Sequence, residues 1–344
     1  MALLKVLENP RPDEIGSSVE EFLYLLGEPS CIVLDGKDNS RTRAVVTLLH
    51  GNEPSGAMAI FRWIKSEKTP EVRIICILAS VTTALYPPLF HYRVLPGSRD
   101  LNRCFQPPYE DEAGELAESI LHTLECYEPE AVVDIHNTSG SGPAFGVATH
   151  HAANHSALVS LFTNKLMITH LNLGALMDIS GTPYSTMTIP TVTIEAGGRL
   201  DKEAHDSAWS GLVRFFCEDQ VLTRPENTKP LDIFMEPVRI ELKQGVSLSY
   251  AKTPNTEFDV TLLENIEYLN FKPVTQDQHL GWVNRGGLEN FIVQDVSNGS
   301  TASDWLQIKN NKLYPCTDSI FFMITNNPVI AIDDCLFYGV SIKS

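Results

Sequence analysis

Four separated segments carry side chains that could act together on one small molecule. In Val45-Val-Thr-Leu-Leu-His50-Gly-Asn-Glu53-Pro-Ser-Gly56, a histidine and a carboxylate stand three apart on a loop after an apolar run. Both can turn toward one ion, and catalytic zinc takes such nitrogen and oxygen ligands while leaving one position for water. Pro54 and the helix predicted after it would fix that loop. By itself the HxxE pattern is weak, because a chain of 344 residues produces it by chance. The second segment, Val132-Val-Asp134-Ile-His136-Asn-Thr-Ser-Gly140, places a histidine at the end of a predicted buried strand. A lone histidine there is more often a hydrogen-bonded core residue than a ligand. Asp134, two residues earlier on the same strand face, either orients His136 from behind or caps a turn.

The third segment is Thr191-Val-Thr-Ile-Glu195-Ala-Gly-Gly198. A glutamate closing an apolar strand is costly to half-bury, and the competing reading is an exposed turn carboxylate. Metal-assisted hydrolysis needs such a group near the attacking water, to take its proton and hand it to the leaving nitrogen. The fourth segment runs from Phe90 to Phe105 and holds Arg93, Arg99 and Arg103 in an acidic protein. Their planar forks suit a carboxylate or a developing oxyanion. The alternative is a solvated loop pairing with surface acids.

Something must hold these segments together. Over the first two hundred residues, apolar runs alternate with amphipathic stretches. Strands are predicted at 31–34, 44–49, 72–80, 131–135, 145–149, 166–171 and 191–194, and helices at 19–26, 57–65, 112–126, 156–164 and 202–221. Near-continuous apolar strands between helices imply a largely parallel or mixed sheet covered on both faces. The strand ends would then bring the first three segments to the crevice where open α/β sheets bind ligands. Thr223-Arg-Pro-Glu-Asn-Thr-Lys-Pro230 has two prolines and no periodicity, so it reads as a linker between residues 1–224 and residues 231–344. The later part shows short strands at 238–242, 246–250, 260–263, 281–284, 291–295 and 320–325, and no long helix, as in a small all-β domain.

Composition narrows the partners. Forty-three acidic against 26 basic residues leave a net charge of −17 with no basic patch, which argues against nucleic acid and anionic membrane surfaces. No apolar run reaches the length of a spanning helix, and the first residues do not read as a signal peptide. Seven scattered cysteines with no CxxC pair argue against both a disulfide framework and a cysteine zinc site. The expectation is a cytoplasmic protein, with homo-oligomerisation left open.

The motifs HGNE, RDLNRCF, DIHNTSG and IEAGG, in this order, resemble the succinylglutamate desuccinylase/aspartoacylase family, part of the zinc carboxypeptidase-like superfamily. By motif the resemblance spans His50 to Gly198. It implies an α/β fold with a zinc-carboxypeptidase-like mixed sheet flanked by helices and a smaller C-terminal β-rich domain shaping the active-site mouth. It implies one zinc ion per chain held by His50, Glu53 and His136, with Glu195 as general base. Asn102 and Arg103 match the pair that holds a substrate carboxylate. Arg93, beside Tyr92, is the candidate for polarising the scissile carbonyl; Pro96 and Gly97 suggest a local insertion, so Arg99 also stays open. Tyr314 is the nearest counterpart of a late family tyrosine. Aspartoacylase-like members carry a further substrate-binding arginine about ten residues before the glutamate, whereas Gly181 to Ile194 here contains no lysine or arginine.

The expected activity is zinc-dependent hydrolysis of the amide bond of an N-acyl amino acid or related small carboxylate amide. The rivals are a zinc carboxypeptidase acting on short peptides and a catalytically silent ligand-binding protein on the same fold.

Overall fold

The computed structural model describes residues 4–179, 188–224, 230–296 and 299–342. Two compact units emerge: residues 1–137, 144–166 and 172–233 form the first, and residues 138–143, 167–171 and 234–344 the second.

Among the described residues, the first sheet has nine strands: β1 (Lys5–Glu8), β2 (Ser30–Leu34), β3 (Asp38–Thr47), β4 (Val72–Leu78), β5 (Val132–Thr138), β6 (Phe145–Ala148), β7 (Lys165–Ile168), β8 (Thr191–Gly198) and β9 (Asp232–Met235). Their order is β1-β2-β4-β3-β5-β8-β6-β7-β9. Pairing is mixed. β3 runs parallel to β4 and β5, while β2–β4 and β6–β8 are antiparallel. β2 and β5 are buried along their whole length, as expected for strands covered on both faces.

Helices α1 (Val19–Leu26), α2 (Ser55–Lys65), α3 (Val81–Leu85), α4 (Glu112–Tyr127), α5 (Ala153–Ser160) and α6 (Lys202–Cys217) accompany this sheet. α4 lays Ala117, Ile120, Leu121 and Leu124 on Val33, Ala44, Val46, Ile75 and Ile77. Trp63 of α2 meets Phe216 of α6 edge to face, with ring centroids 4.8 Å apart. Gly56 lets α2 begin where it does: a Cβ there would come within 2.1 Å of Thr47 Oγ1 and 3.2 Å of the Ile135 side chain. Arg43 on β3 is fully buried. Its guanidinium donates to Phe215 O (2.6 Å), Glu218 O (2.7 Å) and Asp219 O (2.6 Å), and pairs with Glu130 (2.6 Å), so it satisfies carbonyls that the end of α6 leaves unpaired. None of the helices among the described residues is long and apolar enough to cross a membrane.

The second unit holds β10 (Val238–Leu242), β11 (Leu248–Ala251), β12 (Val260–Leu263), β13 (Pro273–Val274), β14 (Gly281–Val283), β15 (Phe291–Gln294), β16 (Leu306–Lys309), β17 (Lys312–Pro315), β18 (Ser319–Phe322) and β19 (Phe337–Ser341). They form two five-stranded sheets, β13-β18-β19-β10-β15 and β11-β12-β14-β17-β16, around a core that includes Ile240, Leu262, Leu280, Leu313 and Phe321. Its helices, α7 (Ala302–Trp305) and α8 (Pro328–Asp333), are only 4 and 6 residues long.

Several boundaries differ from the sequence expectation. β5 and β8 continue through Thr138 and Gly198, so His136 and Glu195 lie within the last residues of their strands rather than beyond them. β3 ends earlier, at Thr47, because Leu48 takes a left-handed conformation (φ 55°) and turns the chain out of the sheet. The linker residues 225–229 and the stretch 180–187 lie outside the described residues.

Candidate metal and catalytic centre

Leu48 is fully buried, so the bend it makes is anchored in the core, and His50 and Glu53 follow before α2 begins. β5 delivers His136 from the neighbouring parallel strand. The Glu53 carboxylate stands between the two imidazoles, with Oε1 2.8 Å from His50 Nδ1 and Oε2 2.7 Å from His136 Nδ1. All three side chains are buried, and one candidate ligand atom from each lies within 4.8 Å of the others.

The outward ring nitrogens are held as well. His50 Nε2 is 2.9 Å from Asp100 Oδ1, and His136 Nε2 is 2.7 Å from Asp134 Oδ2. An imidazole whose outer nitrogen faces a carboxylate has its tautomer and ring plane fixed, with the inner lone pair directed into the site, as metal-ligating histidines require. Two imidazole nitrogens and a carboxylate are also the donor types that catalytic zinc selects. The residues present fit a divalent ion on both counts.

Electrostatics around the cluster follow from burial and mutual contact. Burial opposes ionisation of Glu53, yet His50 and His136 outweigh it and hold the carboxyl below the usual carboxylate range. For His136, burial disfavours the charged ring, but Asp134 and Glu53 raise its affinity for a proton well above the ordinary value.

Asp100, which no sequence motif singled out as functional, joins three parts of the site. Oδ1 faces His50 and accepts the backbone N–H of Asn102 (2.9 Å), while Oδ2 accepts from Arg93 Nη2 (3.0 Å). Arg93 Nη1 is also 3.5 Å from Glu53 Oε1, and the Arg93 carbonyl accepts the Gly51 N–H. Arg93 therefore stands beside the cluster. Arg99 does not: its guanidinium is paired with Asp111, the residue that caps α4, at 2.6 Å from Nη2 to Oδ1.

Asn102 and Arg103 lie in a short 3-10 turn that Asp100 caps. The Asn102 side-chain oxygen accepts the Leu176 N–H (3.0 Å), and Arg103 Nη1 donates to the Asn102 carbonyl (2.8 Å). Tyr314 lies on β17 of the second unit, with its ring 5.6 Å from that of His279 and under the Lys309 ammonium.

Glu195, near the end of β8, is half-buried. Its Oε2 is shielded from solvent without a hydrogen-bond partner. Burial pushes its pKa up to about 7; His136 opposes the rise, Glu53 adds to it, and His50 and Arg93 oppose it more weakly. A carboxyl poised near neutrality beside two histidines can exchange a proton with a reacting group.

Residues 39–210, half of the chain, match the family described as the succinylglutamate desuccinylase/aspartoacylase catalytic domain. The chain belongs to that family of deacylating hydrolases. No curated protein matches it in sequence. Among solved structures, it is similar to a succinylglutamate desuccinylase from Vibrio parahaemolyticus (TM-score 0.55, 15% identity, covering 88% of this chain and 81% of that one). It is also similar to an ectoine utilization protein from Ruegeria pomeroyi (0.56, 15%, 90% and 88%) and to murine aminoacylase 3 (0.52, 14%, 89% and 95%). At such identities the likeness is one of fold. Sequence and structure thus agree on the α/β fold with a mixed sheet and a β-rich C-terminal part.

Proposed function

We propose that this chain is a zinc-dependent amidohydrolase that cleaves the amide bond of an N-acyl amino acid or a related small carboxylate amide. The observation that carries the reading is the pairing of a histidine–glutamate–histidine cluster with a buried, unpartnered carboxylate oxygen at Glu195. His50, Glu53 and His136 would hold one ion. When bound, zinc supplies Lewis acidity, lowering the pKa of a water and polarising a carbonyl.

The chain's own residues would do the rest. Glu195 takes the proton of the attacking water and delivers it to the departing amine nitrogen. Arg93, fixed by Asp100, supports the negative charge that develops on the carbonyl oxygen. Arg99 is engaged with Asp111 and is given no part in the reaction. Asn102 and Arg103 bind the substrate carboxylate. The Leu176 N–H orients the Asn102 amide, which presents its NH2 group as the donor for that contact. Tyr314 is assigned no step. Seven free cysteines, four of them buried, support placement in a reducing compartment such as the cytoplasm.

Substrate preference rests on the stretch Gly181 to Ile194, which holds no basic residue; residues 181–187 of it lie outside the described residues. Acyl derivatives of neutral or basic amino acids should be preferred over N-acetylaspartate and succinylglutamate, whose second carboxylate would go unpaired. The test is amine release from a panel of N-acyl amino acids and dipeptides, with and without added zinc. Zinc-dependent release from N-acyl amino acids is the expected result. The highest kcat/KM on a dipeptide would favour a carboxypeptidase instead, and silence on every member with zinc loaded would reject the deacylase reading.

A further inference from the structure

Asn137 is buried beside the candidate centre, and its side chain takes no part in the proposed chemistry. Both of its amide N–H groups and its oxygen are nevertheless engaged with the two segments that flank the cluster. Oδ1 accepts the Ser55 N–H (3.0 Å), the first amide of α2, whose preceding residue Pro54 provides no side-chain cap. Nδ2 donates to Ser55 Oγ (2.8 Å) and to the Gly197 carbonyl (2.9 Å). Ser55 Oγ is in turn 2.8 Å from His205 Nδ1 on α6, and the Asn137 backbone N–H donates to Glu53 Oε2 (3.3 Å).

One end of this amide therefore grips the segment that follows Glu53, and the other grips β8 two residues beyond Glu195. Gly197 lies two residues after Glu195 on the same strand, so holding its carbonyl anchors the strand end that carries Glu195. Gly197 itself has φ 112°, a conformation open to glycine. A buried amide with both donors and its acceptor engaged has one orientation and resists displacement.

We propose that Asn137 is a positioning residue that sets the spacing between the His50–Glu53–His136 cluster and the Glu195 carboxylate. The proposal rests on Glu195 being the base and the cluster being the metal site. Asn137→Ala leaves every ligand and the backbone N–H to Glu53 in place, so zinc affinity should change by no more than about threefold. Misplacing a reacting group by about 1 Å costs on the order of 10²-fold in rate, and a kcat loss approaching that, at nearly constant KM, is expected. A residue that acts through Glu195 should add little to a variant already lacking the base. Asn137→Ala combined with Glu195→Gln should therefore be no more than about threefold slower than Glu195→Gln alone, where independent effects would multiply.

Multiplicative losses in the double variant would overturn the proposal, as would unchanged kcat in Asn137→Ala. A parallel fall in zinc affinity and kcat would overturn it too, since it would indicate general damage. Asn137→Ser, which keeps a polar group at the site, serves if the alanine variant does not fold. A crystal structure of the zinc-loaded variant decides the same question without turnover. Displacement of Glu195 relative to an intact His50–Glu53–His136 cluster supports the proposal, and an unmoved Glu195 rejects it. Should the wild type release no amine from any substrate, the deacylase reading fails, and the crystal structure still decides whether Asn137 positions Glu195.

Discussion

Replacing Asp100 by asparagine removes one negative charge and almost no volume. The carboxylate serves His50 at 2.9 Å, the Asn102 N–H at 2.9 Å and Arg93 at 3.0 Å. Burial works against its ionisation, but His50, Arg93 and Arg103 more than compensate and keep it charged far below the usual carboxylate range. Asparagine can still accept through Oδ1, so the turn carrying Asn102 should persist. What disappears is the anionic partner of the His50 ring and of the Arg93 fork. Removal of such an outer partner of a metal-ligating histidine costs about 10–100-fold in metal affinity or activity. Asp100→Asn, which keeps an acceptor, should fall near tenfold, and Asp100→Ala near 100-fold, or about 1.4 and 2.7 kcal/mol of zinc binding. Competition against a chelator of known affinity measures this directly. Zinc affinity within a factor of two of wild type for both variants would refute the claim that Asp100 orients His50.

The remaining expectations follow from the same geometry. Glu195→Gln should lose about 10²–10⁴-fold in kcat while keeping its zinc, and near-normal single-turnover rates in the loaded variant would move the base role elsewhere. His136→Ala should lower zinc occupancy strongly, and full occupancy by metal analysis would remove it from the site. Arg43→Met removes the guanidinium from the Phe215 and Glu218 carbonyls, while Asp219 O keeps its contact with Arg41, and should cost about 3 kcal/mol in urea unfolding at unchanged m-value; a loss below about 1 kcal/mol would mean that water replaces the guanidinium. Chelation should lower thermal stability, by about 2.7 kcal/mol relative to protein in 100-fold excess of zinc over its Kd, and an unchanged melting curve would argue against a tightly held ion.

Much of the first sheet was legible because buried strands advertise themselves. Ser30–Leu34, Val72–Leu78 and Val132–Thr138 are apolar runs bounded by turn residues, and α1 lies at Val19–Leu26 as periodicity predicts. Lys5–Glu8 was not legible: its four residues alternate at a sheet edge and carry too little signal. Lys312–Pro315 and Phe337–Ser341 escaped for a related reason, since one ends in proline and the other follows a polar turn with no alternation. The convergence of His50, Glu53 and His136 could be expected from residue types at strand ends. Asp100 and Asn137 could not, because their importance lies in what they meet across space. Asp100 reads as one acid in an arginine-rich loop, and Asn137 as a turn residue after a histidine. Arg99 shows the converse, a charge placed by its spacing in the candidate loop but drawn away by Asp111.

The left-handed bend at Leu48 constrains which sequences this fold can accept. Most residues avoid that conformation at a cost of about 1–3 kcal/mol, which usually favours glycine or asparagine. Yet Leu48 is completely enclosed, so glycine would relieve the backbone while emptying a leucine-sized volume, a loss of about 2–5 kcal/mol. Valine and isoleucine fill the space but tolerate the bend worse, because branching at Cβ crowds it. In a saturation library scored for folding, position 48 should therefore accept almost nothing but apolar side chains unbranched at Cβ, such as leucine and methionine. The two demands pull the alphabet in opposite directions, and leucine sits where they meet.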